Sequence, residues 1–589
     1  MGLLIVTKPL SSAIAATLKK AALAAILTVL TVQLGFAQSL PGGADAGRLQ
    51  KNLSTPKLAD PIASSPSAAT QVAPATKAPA GAGKIAFILK TLKVEGVTAY
   101  PPGFLEKIAS DRVGQRVTVQ EVFDYASKMT ATYRNDGYLL SRVVVPQQKI
   151  DSGNVLLRAV EGYIDDVVVE GVSSDLEKII KGYVNKVIEA RPLSRGILER
   201  YLLLAGDSPG LTIRSFLKPS KKNSAAATLM LTASKKAAVF WSRLDNRGSE
   251  FVGPYQAEVG ASYAGLPGGD QALSVRVLTT PLQNKELRYV NLQYQRLLGT
   301  EGTVLFASGN ALTSEPGKSL KDLGLKSVAY GFEAGIKLVP IRHRNENFNF
   351  NISFSYSNTD TDALDVPFSQ DRTRTLSIGG EYQFSDKFGG ATSASIGGKR
   401  GLGWLGETPD GDGLSARADA VSDATWAILR ASRLQGLDTI MPGLSVLANV
   451  SGQYSLDALS SSREFGVGGL ANASAFDSSE ISGDHGLSGR LELRYATALP
   501  MLDDIVPEGK LRQTSVQFYG FSDGGFVWQE DADVTGQQKD RIASAGLGAR
   551  FNIGAHFSGS VEAAQPFAQP VSSKGSRDPR VFVQVVARF

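Results

Sequence analysis

The clearest pattern in the chain lies at residues 348–357. Phe348, Phe350, Ile352, Phe354 and Tyr356 alternate with Asn349, Asn351, Ser353, Ser355 and Ser357. Strict period-two alternation predicts a strand with two unlike faces. A row of amides and hydroxyls cannot point into a dry core without partners. A barrel wall resolves the conflict, with the aromatic row toward lipid and the polar row toward a wet lumen.

The pattern recurs from about residue 237 onward. Tyr255, Ala257, Val259, Ala261 and Tyr263 alternate with Gln256, Glu258, Gly260 and Ser262. Val290, Leu292 and Tyr294 alternate with Asn291, Gln293 and Gln295. Leu376, Ile378, Tyr382 and Phe384 share a face, as do Leu444, Val446, Ala448 and Val450. Leu491, Leu493 and Tyr495 alternate with Arg490, Glu492 and Arg494, which assigns those three charges to the lumen. Turn signals such as Pro267-Gly268-Gly269-Asp270 separate the strands. Such alternation over roughly 350 residues exceeds the usual length of a soluble sandwich.

Upstream the period changes. Residues 84–162 read as β-α-α-β-β, with strands at 85–97, 138–145 and 154–160 and a short helix at 102–109. The second helix carries Val119, Val122, Phe123, Ala126, Met129 and Tyr133 on one face and stops at Asp136-Gly137. Residues 163–234 repeat that order, with strands at 164–172, 211–217 and 227–233. Leu176, Ile179, Ile180, Tyr183, Val184 and Val187 line one helix, and Leu198, Tyr201 and Leu202 the next. The first strand of each unit ends Val-Glu-Gly-Val, at 94–97 and 169–172, so the two read as tandem copies.

The N-terminus reads as a signal peptide, residues 1–37. Lys19-Lys20 precede the mainly apolar run 21–34, and Gly35-Phe36-Ala37 offers small residues for cleavage after Ala37. Residues 38–83 form a Pro-, Ala- and Ser-rich linker with one short helical pattern at 45–53. No later stretch reaches the roughly eighteen apolar residues of a spanning helix. A secreted chain of this kind enters a membrane only as a closed barrel.

Composition narrows the chemistry. The 589 residues are 43% hydrophobic and 20% charged, with a formal net charge of +6 and no cysteine. No basic helix or Lys/Arg run accompanies that charge, so no nucleic-acid partner is expected. His343, His485 and His556 lie in separate segments without metal-ligand spacing. Ser482, Asp484 and His485 supply the letters of a hydrolase triad, but neighbours in one loop seldom adopt its geometry. Asp410-Gly411-Asp412-Gly413 departs from calcium-loop spacing and reads as a solvated turn. There is no phosphate-binding loop. Neither an enzyme nor a cofactor is expected.

Residues 456–487 break the alternation between strand patterns at 444–454 and 490–495. They run Arg463-Glu464-Phe465-Gly466-Val467-Gly468-Gly469, then Ala473-Ser474-Ala475-Phe476, then Ser482-Gly483-Asp484-His485-Gly486. A loop of about thirty residues inside a β domain calls for a functional role or for disorder. It reads as a lid folded back into the pore.

Signal, linker, two β-α-α-β-β modules and a large barrel resemble the outer-membrane transporters of two-partner secretion, the haemolysin activation/secretion protein family. The modules resemble its periplasmic POTRA domains. Asp245-Asn246-Arg247-Gly248-Ser249 followed by Gly253-Pro254-Tyr255-Gln256 is similar to the family's first-hairpin signature. Glu464-Phe465 with Gly468-Gly469, and Gly483-Asp484, resemble the two arms of its lid loop. Phe521-Ser522-Asp523-Gly524-Gly525 resembles the strand motif that faces the loop tip, and Phe589 the C-terminal aromatic read by the barrel-assembly machinery.

The resemblance implies a transmembrane β-barrel of about 16 antiparallel strands behind two periplasmic POTRA domains in a bacterial outer membrane. It implies a secreted partner, a large β-helical adhesin or cytolysin, captured unfolded and threaded as the lid and a plug helix at 45–53 move aside. An assembly factor that inserts other barrels is the alternative within the same superfamily; two modules and the 245–249 signature favour secretion. One departure stands out. The family's loop tip reads Val-Arg-Gly-Tyr, where this chain has Ala473-Ser474-Ala475-Phe476, although Asp523, the arginine's partner, is kept. Either Arg463, Arg490 or Arg494 replaces the missing arginine, or the lid is held more loosely.

Overall fold

The computed structural model describes residues 40–54, 77–150, 152–283, 285–499, 514–530 and 539–589. The expected signal peptide and most of the linker lie outside them.

The first module contains strands Ala86–Ile88, Thr91–Glu95, Arg116–Thr118, Arg142–Val144 and Asn154–Val160 around the helix Val119–Asn135. The strand expected at 85–97 is two strands, because the chain changes partners. Ala86–Ile88 pairs with Arg116–Thr118, whereas Thr91–Glu95 runs parallel to Asn154–Val160. The short helix begins late, as the 3-10 turn Glu106–Arg112, since Gly103 takes a φ of 77° outside the helical range. The long helix starts where its chemistry dictates: Thr118 and Glu121 form a reciprocal capping box. The strand expected at 138–145 shrinks to Arg142–Val144.

The second module has strands Tyr163–Glu170, Leu211–Pro219 and Ala226–Lys235 and helices Ser174–Glu189 and Arg195–Gly206. Its last strand lies centrally, parallel to the first and antiparallel to the penultimate one. The three-stranded sheet of the first module has the same arrangement. The repeat read from sequence is therefore a repeat of topology.

The second module is fixed to one mouth of the barrel. Arg342 donates to Asp207 through Nε and Nη2 at 2.8 and 2.7 Å. Arg200 donates to the carbonyls of Val339 and Pro340, and Leu204 and Val339 are buried together.

Sixteen strands close the barrel, and the last, Arg580–Arg588, pairs with the first, Ala238–Asp245. Past the end of the first strand, the Asn246 side chain extends the seam: its Oδ1 accepts from Val583 N–H at 2.7 Å and its Nδ2 donates to the Val581 carbonyl at 2.9 Å. Phe589 completes the other end, exchanging backbone hydrogen bonds with Phe240. The expected faces are present: Leu491, Leu493, Val581, Val583 and Val585 are exposed outward, while Arg490, Glu492 and Arg494 are buried inward.

Candidate functional site

The lid enters from the mouth opposite the docked module. It is a hairpin rather than an irregular loop: Phe465–Val467 pairs with Ile481–Gly483. Two strands form despite the glycines because the hairpin is enclosed and its backbone groups need partners. Gly468 sits at the turn into the tip with φ 129°, and a Cβ there would lie 2.1 Å from the Asp477 carbonyl oxygen. Gly469 follows, also at positive φ.

Two buried carboxylates hold the base of the lid. Asp484 accepts from Arg417 at 2.6 Å, from Leu459 N–H at 2.7 Å and from Glu530 N–H at 2.9 Å. Glu464 accepts from Arg417 at 3.3 Å and from Ser482 at 2.6 Å. Burial works against the Arg417 charge, but Asp419 and Asp484 outweigh it and raise the guanidinium above its ordinary pKa. Arg417 comes from the loop after residue 401, and nothing local in the sequence marks it as a lid contact.

The tip lies on four barrel strands. Phe476 is buried in an apolar cluster with Val467, Ile481, Tyr519, Phe521 and Phe582, and Phe465 packs against its edge. The Ser474 backbone N–H donates to Asp523 at 3.0 Å, and Ala475 N–H donates to Ser544 at 3.3 Å. Arg490 supplies the cation for Asp523, at 2.7 Å, and also contacts Glu562 and Glu492. Arg463 and Arg494 do not: Arg463 pairs with Glu407 and Arg494 with Glu492. A second arginine contact runs the other way, from the wall to the tip. Arg580, on the last strand, reaches into the lid, donating to the Ala475 carbonyl at 2.9 Å and pairing with Asp477 at 2.9 Å. Gly525 lies on the strand bearing Asp523, opposite Ser488.

Around the tip this wall is a lattice of charges. Glu562 meets Arg247 at 2.9 Å and Arg490 at 3.1 Å, and Glu492 meets Arg550 at 2.9 Å. The guanidinium of Arg490 stacks 3.9 Å from the Phe521 ring centre and that of Arg247 4.4 Å from Phe582. Arg–aromatic stacking strengthens when water is excluded. Asp245, Asn246, Arg247 and Ser249 of the first-hairpin signature thus do separate work. Asp245 pairs with Arg243, Asn246 with the seam, Arg247 with the lattice and Ser249 with the Gly43 carbonyl.

A helix, Ala46–Ser54, occupies the lumen between the lid and the far wall. Arg48 pairs with Glu464 at 2.7 Å and donates to the Ser461 carbonyl at 3.1 Å. Lys51 donates to the carbonyls of Arg463 and Glu464 at 3.1 and 2.6 Å. On the other side, the Gln50 amide lies 2.7 Å from Asn310 and 2.7 Å from Ser357. Just before the helix the chain brushes the lid: a Cβ on Gly42 would fall 1.8 Å from the Ser479 carbonyl oxygen.

That far wall is of another kind. From Arg288–Leu298 to Val366–Ser385 its inward positions are largely Asn, Gln, Ser, Thr and Gly, including Asn291, Asn310 and the row Asn347–Ser357. Glu333, Lys337 and Glu381 also face inward there, and none makes an ion pair among the described residues.

Comparison with known proteins matches this architecture. The model of the haemolysin secretion/activation protein family ShlB/FhaC/HecB matches residues 229–551, and that of the ShlB-type POTRA domain matches residues 87–162. The heme/hemopexin transporter protein HuxB of Haemophilus influenzae is 22% identical over 465 residues, 78% of this chain and 80% of that protein. The solved structure of CdiB from Escherichia coli superposes with a TM-score of 0.69 at 18% identity, covering 88% of this chain and 94% of that one. CdiB from Acinetobacter baumannii gives 0.59 at 16% identity, covering 98% of both chains. The chain belongs to the haemolysin secretion/activation protein family ShlB/FhaC/HecB.

Proposed function

We propose that this outer-membrane transporter exports one unfolded partner protein, and that the lumen helix, rather than the lid, is the element that leaves. The observation that carries this is the unequal anchorage of the two. The lid tip buries Phe476, Val467 and Ile481, each contributing ~1.5–3 kcal/mol when fully covered, and adds ion pairs. The helix has nine residues, below the ~12–15 at which isolated helices become marginal. Of its apolar side chains it buries Ala46 and Leu49, with Leu53 half-buried beside them. Its other contacts are polar, one of them the buried Arg48–Glu464 pair, whereas the lid is held by Arg417, Arg463 and Arg580 together.

The POTRA modules would take the partner by β-augmentation at an open sheet edge, where backbone hydrogen bonds tolerate varied sequence. With no phosphate-binding motif in the chain, folding of the partner outside the cell supplies the direction of transport. The partner class is a large β-helical adhesin or cytolysin, and the C-terminal strand ending at Phe589 would be read by the barrel-assembly machinery.

Deletion of residues 85–233 tests the capture step. The barrel is expected to reach the membrane while export of the co-expressed partner is lost. Undiminished export by this deletion would overturn capture by the modules.

A further inference from the structure

We infer that the row Asn347, Asn349, Asn351, Ser353, Ser355 and Ser357 is the track along which the exported chain crosses the barrel, in extended form and without regard to its sequence. This rests on the export reading above and adds where the chain runs.

Both ends of the row are defined by contacts. At its foot, Arg342 donates through Nη1 to Asn347 at 2.9 Å while its other nitrogens hold Asp207 of the second POTRA module. The row therefore begins at the point where that module is fixed to the barrel. At its head, Ser357 lies 2.7 Å from Gln50 of the lumen helix. Withdrawal of the helix would leave a polar ladder running from the docked module to the place the helix vacated.

The chemistry of the row suits a polypeptide backbone. Inward side chains of one strand recur every ~6.6–6.8 Å. An extended peptide lying along the strand has the same two-residue repeat, so it meets a donor or acceptor at each step. Uncharged amides and hydroxyls bond backbone groups weakly enough for each bond to be exchanged for the next. Ser377 and Gly379, beside Ser353 and Asn351, extend the uncharged surface, and Lys337, Glu333 and Glu381 flank it beside Asn351, Ser355 and Asn349. The opposite wall does not suit this purpose. Its arginines and carboxylates are already paired with one another, and removing one partner would leave a buried charge uncompensated.

The absence of native cysteine makes the test direct. Asn351→Cys and Ser355→Cys report the track; Ser560→Cys reports the lumen face shared with Glu562. Each purified full-length variant is incubated with an uncharged Asn/Ser/Gly-rich peptide of about 20 residues, long enough to cross the barrel when extended, bearing one thiol-activated residue. A small thiol reagent calibrates accessibility. The expected result is peptide capture at 351 and 355 in about tenfold excess over 560 after that correction, as raised local concentration requires. Equal capture at all three positions overturns the track and leaves export standing. No peptide capture at any position, with all three thiols open to the small reagent, overturns both.

Discussion

Two walls of the same lumen differ in how they treat polar groups. From His485–Ala498 round to Arg580–Arg588, inward positions carry arginines and carboxylates at 2.6–3.1 Å from one another, with Tyr519, Phe521 and Phe582 between them. From Arg288–Leu298 to Val366–Ser385, inward positions carry mainly amides and hydroxyls. Ion pairs in a water-poor site are strong, directional and costly to break singly. Neutral amides are weaker and interchangeable. One wall holds the lid, and the other suits a passing chain. The helix bonds to the lid on one side and to the amide wall on the other.

The largest effect should come from Arg490→Ala. It leaves Asp523, Glu492 and Glu562 facing one another with less positive charge, a loss of ~3–5 kcal/mol for an uncompensated buried charge. The fraction of barrel that stays compact in unheated SDS electrophoresis should fall sharply, while Arg430→Ala, an inward arginine without an ion pair among the described residues, should leave it unchanged. A smaller effect is expected from Arg580→Ala. The barrel should still assemble, and coupling between Arg580→Ala and Asp477→Ala in a thermal double-mutant cycle should be ~1–3 kcal/mol. Additivity would remove Arg580 from the latch.

Smaller again is Glu464→Gln, which weakens the seat of Arg48 by ~1.5 kcal/mol, about tenfold in the population of the helix-out state. Single-channel recording in planar bilayers should show more open time. The smallest effect belongs to Ser474→Ala, within ~0.5 kcal/mol, because it is the Ser474 backbone N–H that meets Asp523. Ser474→Pro, which removes that donor, should loosen the tip measurably. If Ser474→Ala proved the worse of the two, the latch would depend on the hydroxyl.

Much of the fold was legible because period-two alternation is local. The faces of residues 348–357 and 490–495 follow from neighbouring letters alone. The tandem modules followed from repeated element order. The split strand at 86–95 was not legible, because the change of partner depends on Arg116–Thr118 and Asn154–Val160. The latch was half legible. Asp523 and the tip could be paired by resemblance, but Arg580 is more than a hundred residues from Ala475. Its inward direction could be read from the alternation that turns Val581, Val583 and Val585 outward. Its contact with the lid could not. Arg417 had no signal of either kind, since loop residues have no period.

The account turns on which element moves, and two disulfide locks compared in planar bilayers decide it. Gly43→Cys with Ser249→Cys would pin the helix leader to the first hairpin loop, where a Cβ on Gly43 lies 3.1 Å from the Ser249 Cβ. Ala475→Cys with Ser544→Cys would pin the lid tip to the charged wall, where Ala475 N–H already meets the Ser544 hydroxyl. The helix lock should abolish opening until a reductant is added, and the lid lock should leave opening as it is in the parent. Opening that survives the helix lock and is lost with the lid lock would contradict the assignment and make the lid the gate.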